Sequence, residues 1–107
     1  MSTISLVIIS KNSEQTIEKT LKSIETLVDE IIFVDTGATD NTVEIAKKFG
    51  AKIFFQQWEN NFSKVRNYGI EQATGKWILI LDTDEYIPEK YLENIRQAVE
   101  NVQQTGI

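Results

Sequence analysis

An apolar segment that ends in three carboxylates limits the possible folds of this chain more than any other feature. Residues 77–81 are apolar throughout, and Asp82, Asp84 and Glu85 follow directly. A continuous apolar run of this length is typical of a strand covered on both faces in the parallel sheet of an α/β domain. Ligands of such sheets bind beyond the carboxyl ends of the strands, where these acids lie. Because clustered carboxylates repel one another and oxygen ligands suit Mg²⁺ or Mn²⁺, the segment predicts a metal site.

Composition limits the classes of protein that need to be considered. The 107 residues, 41% of them hydrophobic, suffice for one domain spanning residues 1–107. A net charge of −5 without a Lys/Arg cluster argues against a nucleic-acid partner. The lack of Cys and His argues against disulfides, imidazole catalysis and the usual zinc sites. No segment approaches the ~18 apolar residues of a transmembrane span and residues 1–9 do not resemble a signal peptide, so we expect a cytoplasmic protein.

The apolar periodicity predicts four strands that alternate with four helices. The strands are predicted at residues 4–9, 30–35, 51–55 and 76–81. The first helix is predicted to start at a cap on Asn12 or Ser13, and the second at a cap on Thr39 or Asp40. The third helix is predicted at residues 63–73 with Gly75 as its stop, and the last begins at Pro88.

This order of elements places the strand ends together. Right-handed crossovers bring the carboxyl ends of successive parallel strands to one edge of the sheet. The polar loops at residues 10–12, 35–37, 56–61 and 82–85 are therefore expected to line a single crevice.

Three motifs in this order resemble the nucleotide-binding half of a family 2 glycosyltransferase of the GT-A fold. They are residues 4–12, residues 34–42, and residues 73–75 leading into residues 81–84. The resemblance implies a Rossmann-like, mostly parallel four-stranded sheet of order 3-2-1-4 with helices on both faces. A further pattern, formed by Trp58, Phe62, Ser63, Arg66 and Asn67, resembles a subgroup that contains lipopolysaccharide-core glucosyltransferases and bacterial S-glycosyltransferases.

The resemblance implies sugar transfer from a nucleoside-diphosphate sugar, usually a UDP-sugar, through Mn²⁺ or Mg²⁺. Asp82 and Asp84 match the DxD motif of the family, with Asp84 as the first choice for the metal ligand and Asp82 at the ribose or a second metal position. Asp35 matches the acid that accepts a hydrogen bond from the base or ribose. The remaining candidates for the nucleotide site are Ile9 and Ser10, whose main chain would border the base, together with Lys11 and Arg66.

Several of these residues also have a purely structural interpretation. Asp35 is placed to accept hydrogen bonds from its own turn, and Glu85 to lie in the first turn of a helix. Arg66 is placed to form an exposed ion pair that contributes ~0–1 kcal/mol. Trp58 and Phe62 are predicted to pack over the end of the third strand rather than to bind a sugar.

Other functions fit the sequence less well. Haloacid dehalogenase-like phosphatases carry two aspartates after their first strand, whereas here the pair follows the fourth and Tyr86 replaces the expected Thr or Val. A dinucleotide fingerprint, a P-loop and an EF-hand are absent. A non-catalytic alternative stays open, because the acceptor half and a catalytic base are not identified. A donor-binding fragment of this kind is expected to be weak or inactive in transfer, and to self-associate through an uncovered sheet edge or apolar face.

Overall fold

Four parallel strands alternate with four helices in the computed structural model, which describes residues 3–83 and 85–104. The strands are β1 (Ile4–Ser10), β2 (Glu30–Asp35), β3 (Lys52–Phe55) and β4 (Trp77–Leu81). The helices are α1 (Ile17–Ile24), α2 (Thr42–Lys48), α3 (Phe62–Gln72) and α4 (Glu89–Gln104). Within the described ranges, none of these helices has the length and apolar character that a membrane crossing requires.

The strands form one sheet in the order β3-β2-β1-β4, as the resemblance implied. All three pairings are parallel, and Val7 of β1 is aligned with Ile32 of β2 and Ile80 of β4. Because each connection crosses over a face of the sheet, the four carboxyl ends point the same way.

Helices cover both faces of the central strands. On one face, Leu6, Ile8 and Phe33 pack against residues of α1 and α2, among them Leu21 and Ala46. On the other face, Val7, Ile32 and Val34 pack against Val65 of α3. β1 and β2 therefore consist almost entirely of buried residues, which accounts for their continuous apolar sequence.

β4 was predicted to be covered on both faces, and this prediction is wrong. Leu79 and Leu81 pack into the first cluster, but Ile78 and Ile80 on the other face are 41% and 40% exposed. The reason is the strand order: β4 lies at the edge of the sheet, while α3 packs on β1 and β2. An apolar sequence thus predicts that a strand belongs to the sheet, but it does not show whether helices cover both faces of that strand.

The predicted caps of α1 are also incorrect. α1 begins at Ile17, after a turn in which the Ile17 N–H donates to the Ser13 carbonyl at 2.9 Å. The side chain of Asn12 instead accepts from the Thr39 N–H at 2.8 Å, and the Ser13 N–H donates to the Thr42 hydroxyl at 2.8 Å. These polar residues therefore join the loop after β1 to the loop after β2.

Gly75 does not stop α3, which ends at Gln72 and is followed by an extended Ala73. Gly75 lies against β1, where its N–H donates to the Ser5 hydroxyl at 2.8 Å. A Cβ at this position would lie 2.6 Å from the Ser5 Oγ and 2.9 Å from the Ser5 backbone nitrogen. The glycine is thus required by a close approach between segments.

A buried carboxylate joins the amino ends of the strands. Glu30 accepts hydrogen bonds from the Ser5 hydroxyl at 2.5 Å, the Lys52 ammonium at 2.8 Å and the Thr74 N–H at 2.8 Å. Burial alone would raise the pKa of Glu30, but the bonds from Lys52, Ser5 and Thr74 outweigh burial and lower the pKa to about 2. These hydrogen bonds lie at the amino ends of the strands, whereas the predicted crevice lies at their carboxyl ends. They link β1, β2, β3 and the segment that precedes β4.

Candidate functional site

A polar groove lies at the carboxyl ends of β1 and β4. It has a volume of about 610 Å³. Its lining comes from the end of β1, the turn before α1, the loop after β2 and the loop after β4, namely Ile9, Asn12, Ser13, Glu14, Gln15, Thr16, Asp40, Asp82 and Thr83. The structure thus brings together Ile9 and Asp82, which are 73 residues apart in the chain.

The predicted single crevice is divided. A second hollow of about 480 Å³ lies between the loop after β3 and α3, and it is lined by Gln56, Asn61, Ser63, Lys64, Asn67, Tyr68 and Glu71. The division follows from the strand order, because β3 and β4 are at opposite edges of the sheet with β1 and β2 between them. Residues 56–61 are accordingly remote from the groove that contains Asp82.

Two hydrogen bonds between Asp82 and Glu85 order the loop after β4. The Asp82 N–H donates to the Glu85 carboxylate at 2.8 Å, and the Glu85 N–H donates to the Asp82 carbonyl at 3.1 Å. Glu85 therefore precedes α4 and stabilises a tight turn, so its predicted place in the first turn of a helix is wrong. Asp82 is exposed and lines the groove, and its carboxylate makes no hydrogen bond or ion pair with the described residues.

Asp84, the first choice for the metal ligand, lies outside the described residues. Within residues 3–83 and 85–104, no three His, Cys, Asp or Glu side chains form a cluster able to hold a metal. Mg²⁺-like ions are nevertheless bound through one or two carboxylates, with phosphates and water completing the shell. A carboxylate that has no partner among the described residues and belongs to an open polar groove fits a metal that arrives with a diphosphate.

The two carboxylate oxygens of Asp35 differ in their hydrogen bonds. Its Oδ1 accepts from the Gly37 N–H at 2.9 Å and the Ala38 N–H at 2.8 Å, so the predicted turn contacts are confirmed. Gly37 has a φ of 119°, which favours glycine at this turn. The Oδ2 of Asp35 accepts no hydrogen bond from the described part of the chain, and is available to a ligand hydroxyl.

The other predicted nucleotide contacts differ in their surroundings. Ser10 is buried and its hydroxyl is paired with the Ser13 hydroxyl at 2.7 Å, while its carbonyl accepts from the Thr36 N–H at 2.9 Å. Lys11 is exposed on the loop that follows. Arg66 is half-buried on α3 and lines neither the groove nor the second hollow. The ion pair suggested for Arg66 does not form with any described acid.

Most of the residues that line the groove were not predicted from the sequence. Glu14, Gln15 and Thr16 line the groove because α1 starts later than its caps suggested. Asp40 also lines it. The predicted cap of α2 on Thr39 or Asp40 is wrong, because the N-cap residue is Asn41. The Asp40 Oδ1 nevertheless accepts from the Thr42 N–H at 3.0 Å. The hydrogen bond from the Thr42 hydroxyl lowers the pKa of Asp40. No local signal predicts these cross-loop contacts.

The prediction that Trp58 and Phe62 pack over β3 is wrong, because they are 45% and 46% exposed. The Trp58 Nε1–H donates to the Asn60 side chain at 3.1 Å, within a loop where Asn60 has a φ of 57°. Nearly half of the surface of each aromatic residue is thus in contact with solvent.

The chain belongs to glycosyl transferase family 2, because the model of that family matches residues 5–105. A TPR repeat-containing protein of Synechococcus elongatus is 42% identical over 85 residues, which cover 79% of this chain and 21% of that protein. An uncharacterized glycosyltransferase of Rickettsia typhi is 34% identical over 95 residues, which cover 89% of this chain and 32% of that protein. The chain therefore spans about a fifth to a third of the length of these relatives.

Solved structures show the same fold. TarS of S. aureus in complex with UDP has a TM-score of 0.73 and 28% identity, and the match covers 92% of this chain and 32% of that chain. Glucosyl-3-phosphoglycerate synthase of Mycobacterium tuberculosis with Mn²⁺, UDP-glucose and phosphoglyceric acid has a TM-score of 0.63 and 27% identity, with 79% and 35% covered. These likenesses confirm the predicted GT-A fold. The narrower subgroup, suggested by Trp58 and its neighbours, stays a prediction.

Proposed function

We propose that this chain binds the nucleoside-diphosphate sugar, and specifically a UDP-sugar, in a glycosyl-transfer reaction. The observation that carries the proposal is that Asp82 lines the groove together with Ile9, while the Asp82 carboxylate has no partner among the described residues. UDP bound to TarS and UDP-glucose bound with Mn²⁺ to the mycobacterial synthase support this ligand class.

In this proposal the main chain at Ile9 and Ser10 borders the base, and the Oδ2 of Asp35 accepts a hydroxyl of the ribose. Asp82 and Asp84 hold Mn²⁺ or Mg²⁺ at the diphosphate, with Asp84 as the principal ligand. When bound, the divalent ion offsets the negative charge that develops on the leaving diphosphate.

The basic residues have a separate role in the proposal. Lys11 and Arg66 supply positive charge to the nucleotide side of a protein whose net charge is −5. Neither forms an ion pair with the described acids, so no described carboxylate neutralises either charge. Lys11 is exposed on the loop after β1, whereas Arg66 is half-buried and does not line the groove.

We assign no catalytic base. A base must reach the acceptor hydroxyl or thiol by a hydrogen bond, and the Glu85 carboxylate is already engaged by the Asp82 N–H. Donor binding without efficient transfer is therefore the activity that we propose for the 107-residue chain by itself.

Thermal unfolding with UDP, UDP-glucose and GDP-mannose, each with and without Mn²⁺, tests this function. A ligand at ~100 times its dissociation constant stabilises the folded state by ~2.7 kcal/mol, which for a domain of this size corresponds to a rise of roughly 10 °C or more. We expect a Mn²⁺-dependent rise with the uridine nucleotides that is lost in Asp84→Ala. Glu44→Ala, which removes an exposed acid on α2, is the matched control and should keep the rise. No shift with any nucleotide would contradict the proposal.

A further inference from the structure

A buried threonine of α1 holds the loop that carries the two aspartates. Thr20 is only 1% exposed, and its Oγ1–H donates to the Thr83 carbonyl at 2.9 Å. Thr83 is the residue between Asp82 and Asp84. The two partners are 63 positions apart in sequence, so this contact joins separate elements of the fold.

The Thr20 hydroxyl does not donate to a carbonyl of its own helix. A threonine inside a helix commonly donates to a carbonyl of the preceding turn of its own helix. The Thr20 hydroxyl instead donates to the loop after β4, while the Thr20 N–H makes the usual helical bond to the Thr16 carbonyl at 3.2 Å. The buried hydroxyl is thereby satisfied by the carbonyl of the residue that lies between the two acids.

A second contact attaches the same segment one turn further along α1. The Ser23 hydroxyl accepts from the Ile87 N–H at 3.1 Å and donates to the Thr20 carbonyl at 2.7 Å. The two attachments differ in what they hold. Ser23 fixes the approach to α4, whereas Thr20 fixes the peptide unit adjacent to the acids.

We propose that Thr20 is a positioning residue for metal binding by Asp82 and Asp84, an inference that rests on the proposed function. Two carboxylates on a short loop bind a cation well only when the loop is held before the cation arrives, because ordering the loop costs binding free energy. The hydrogen bond from Thr20 holds the loop against α1 before a ligand binds. In this proposal Thr20 itself contacts neither the nucleotide nor the metal.

The inference is tested with Thr20→Val, which keeps the shape of the side chain and removes the hydroxyl. Binding of Mn²⁺ in the presence of UDP is measured on the 107-residue chain by calorimetry, alongside binding of UDP without metal. We expect the Mn²⁺ dissociation constant to rise about 5- to 10-fold in Thr20→Val, while binding of UDP without metal stays within about 2-fold, because the hydrogen bond orders only the acid loop. Thr20→Ser, which restores the hydroxyl, should bring the Mn²⁺ affinity back toward that of the wild type.

Ser23→Ala is the matched control, since it removes a partly buried hydrogen bond between the same helix and the same segment. It should lower the melting temperature about as much as Thr20→Val and leave Mn²⁺ binding within about 2-fold of the wild type. Hydrogen exchange provides a readout without any ligand, and the amides of residues 82–85 should exchange faster in Thr20→Val.

Three results would overturn the inference. They are an unchanged Mn²⁺ affinity in Thr20→Val, an equal loss in Ser23→Ala, or a loss that Thr20→Ser does not restore. Failure of the wild-type chain to bind Mn²⁺ and UDP at all would instead reject the proposed function, and the inference with it. Normal wild-type binding with an unaffected Thr20→Val rejects the inference alone.

Discussion

At the scale of single residues, Asp35 shows how a folding role and a proposed binding role can be separated. Its Oδ1 is occupied by two N–H groups of the following turn, whereas its Oδ2 has no partner among the described residues. The sequence offered a turn and a ligand as alternatives for this acid. The structure confirms the turn contacts and leaves one oxygen for the ligand, so the two interpretations are compatible.

Asp35→Asn therefore tests the ligand role without removing the turn. The amide keeps an oxygen for the Gly37 and Ala38 N–H groups and replaces the other oxygen with a donor. We expect the melting temperature to change by less than about 2 °C, and the affinity for UDP with Mn²⁺ to fall about 10-fold, or by ~1.4 kcal/mol. Calorimetry and thermal unfolding provide the two measurements. An Asn variant that binds UDP as well as the wild type would restrict Asp35 to its turn.

At the scale of elements, the amino ends of the strands depend on the Glu30 network. The side chain of Glu30 is only 9% exposed, and it joins β2 to β1, to β3 and to the residues before β4. Glu30 is not near the candidate groove. Its effect on function is expected to be indirect, through the stability of the sheet that supports the groove.

The Glu30 network predicts a loss of stability in acid. The pKa of Glu30 is about 2 in the folded chain, against an ordinary value of 4.5. The contribution is therefore complete above about pH 4.5 and is lost as the pH falls toward 2, because the unfolded chain binds the proton first. Partial solvent screening limits it to roughly 1 kcal/mol.

Denaturant unfolding from pH 7 to pH 2 measures this contribution. Glu30→Gln should be less stable than the wild type at pH 7, and the difference should shrink below about pH 4 as the wild type loses its bonds. Glu44→Gln, on the exposed face of α2, should match the wild type throughout. A constant difference between Glu30→Gln and the wild type across this range would contradict the assigned pKa.

The elements themselves were largely predictable, and the contacts between their ends were not. β2 was predicted at its observed bounds, and the other strands to within one residue at either end, because apolar runs and turn residues are local signals. Gly75 was assigned to a helix stop because the sequence does not show that Ser5 lies against it. The same limit applies to the groove, where Ile9 and Asp82 were predicted together but Glu14, Gln15 and Thr16 were not.

At the scale of the whole molecule, the strand order determines both the site and an exposed surface. Placing β1 beside β4 brings Ile9 and Asp82 into one groove, and placing β4 at the edge exposes Ile78 and Ile80. β4 carries no charged residue or proline, and its outer side pairs with no strand in the part of the chain that the structure describes. Natural edge strands are commonly protected by such residues.

We therefore expect the isolated 107-residue chain to self-associate through β4, as the sequence also suggested. Sedimentation velocity over a range of concentrations should show a reversible increase in mass that Ile80→Lys abolishes, because the charge would be buried at the interface. Phe55→Lys, on the opposite edge strand, is the control for a lost exposed apolar side chain and should still associate. A monomeric wild type at every concentration would contradict this expectation.

The most direct test of the proposed donor site is calorimetric titration of UDP into the 107-residue chain, with and without Mn²⁺, for the wild type and Asp82→Asn. We expect UDP binding that Mn²⁺ strengthens and that, with Mn²⁺ present, weakens at least about 10-fold in Asp82→Asn, or by ~1.4 kcal/mol. We also expect an unchanged melting temperature without ligand, since the Asp82 carboxylate has no described partner to lose. UDP binding that is independent of both Mn²⁺ and Asp82, or the absence of binding, would contradict the assignment of the groove as the donor site.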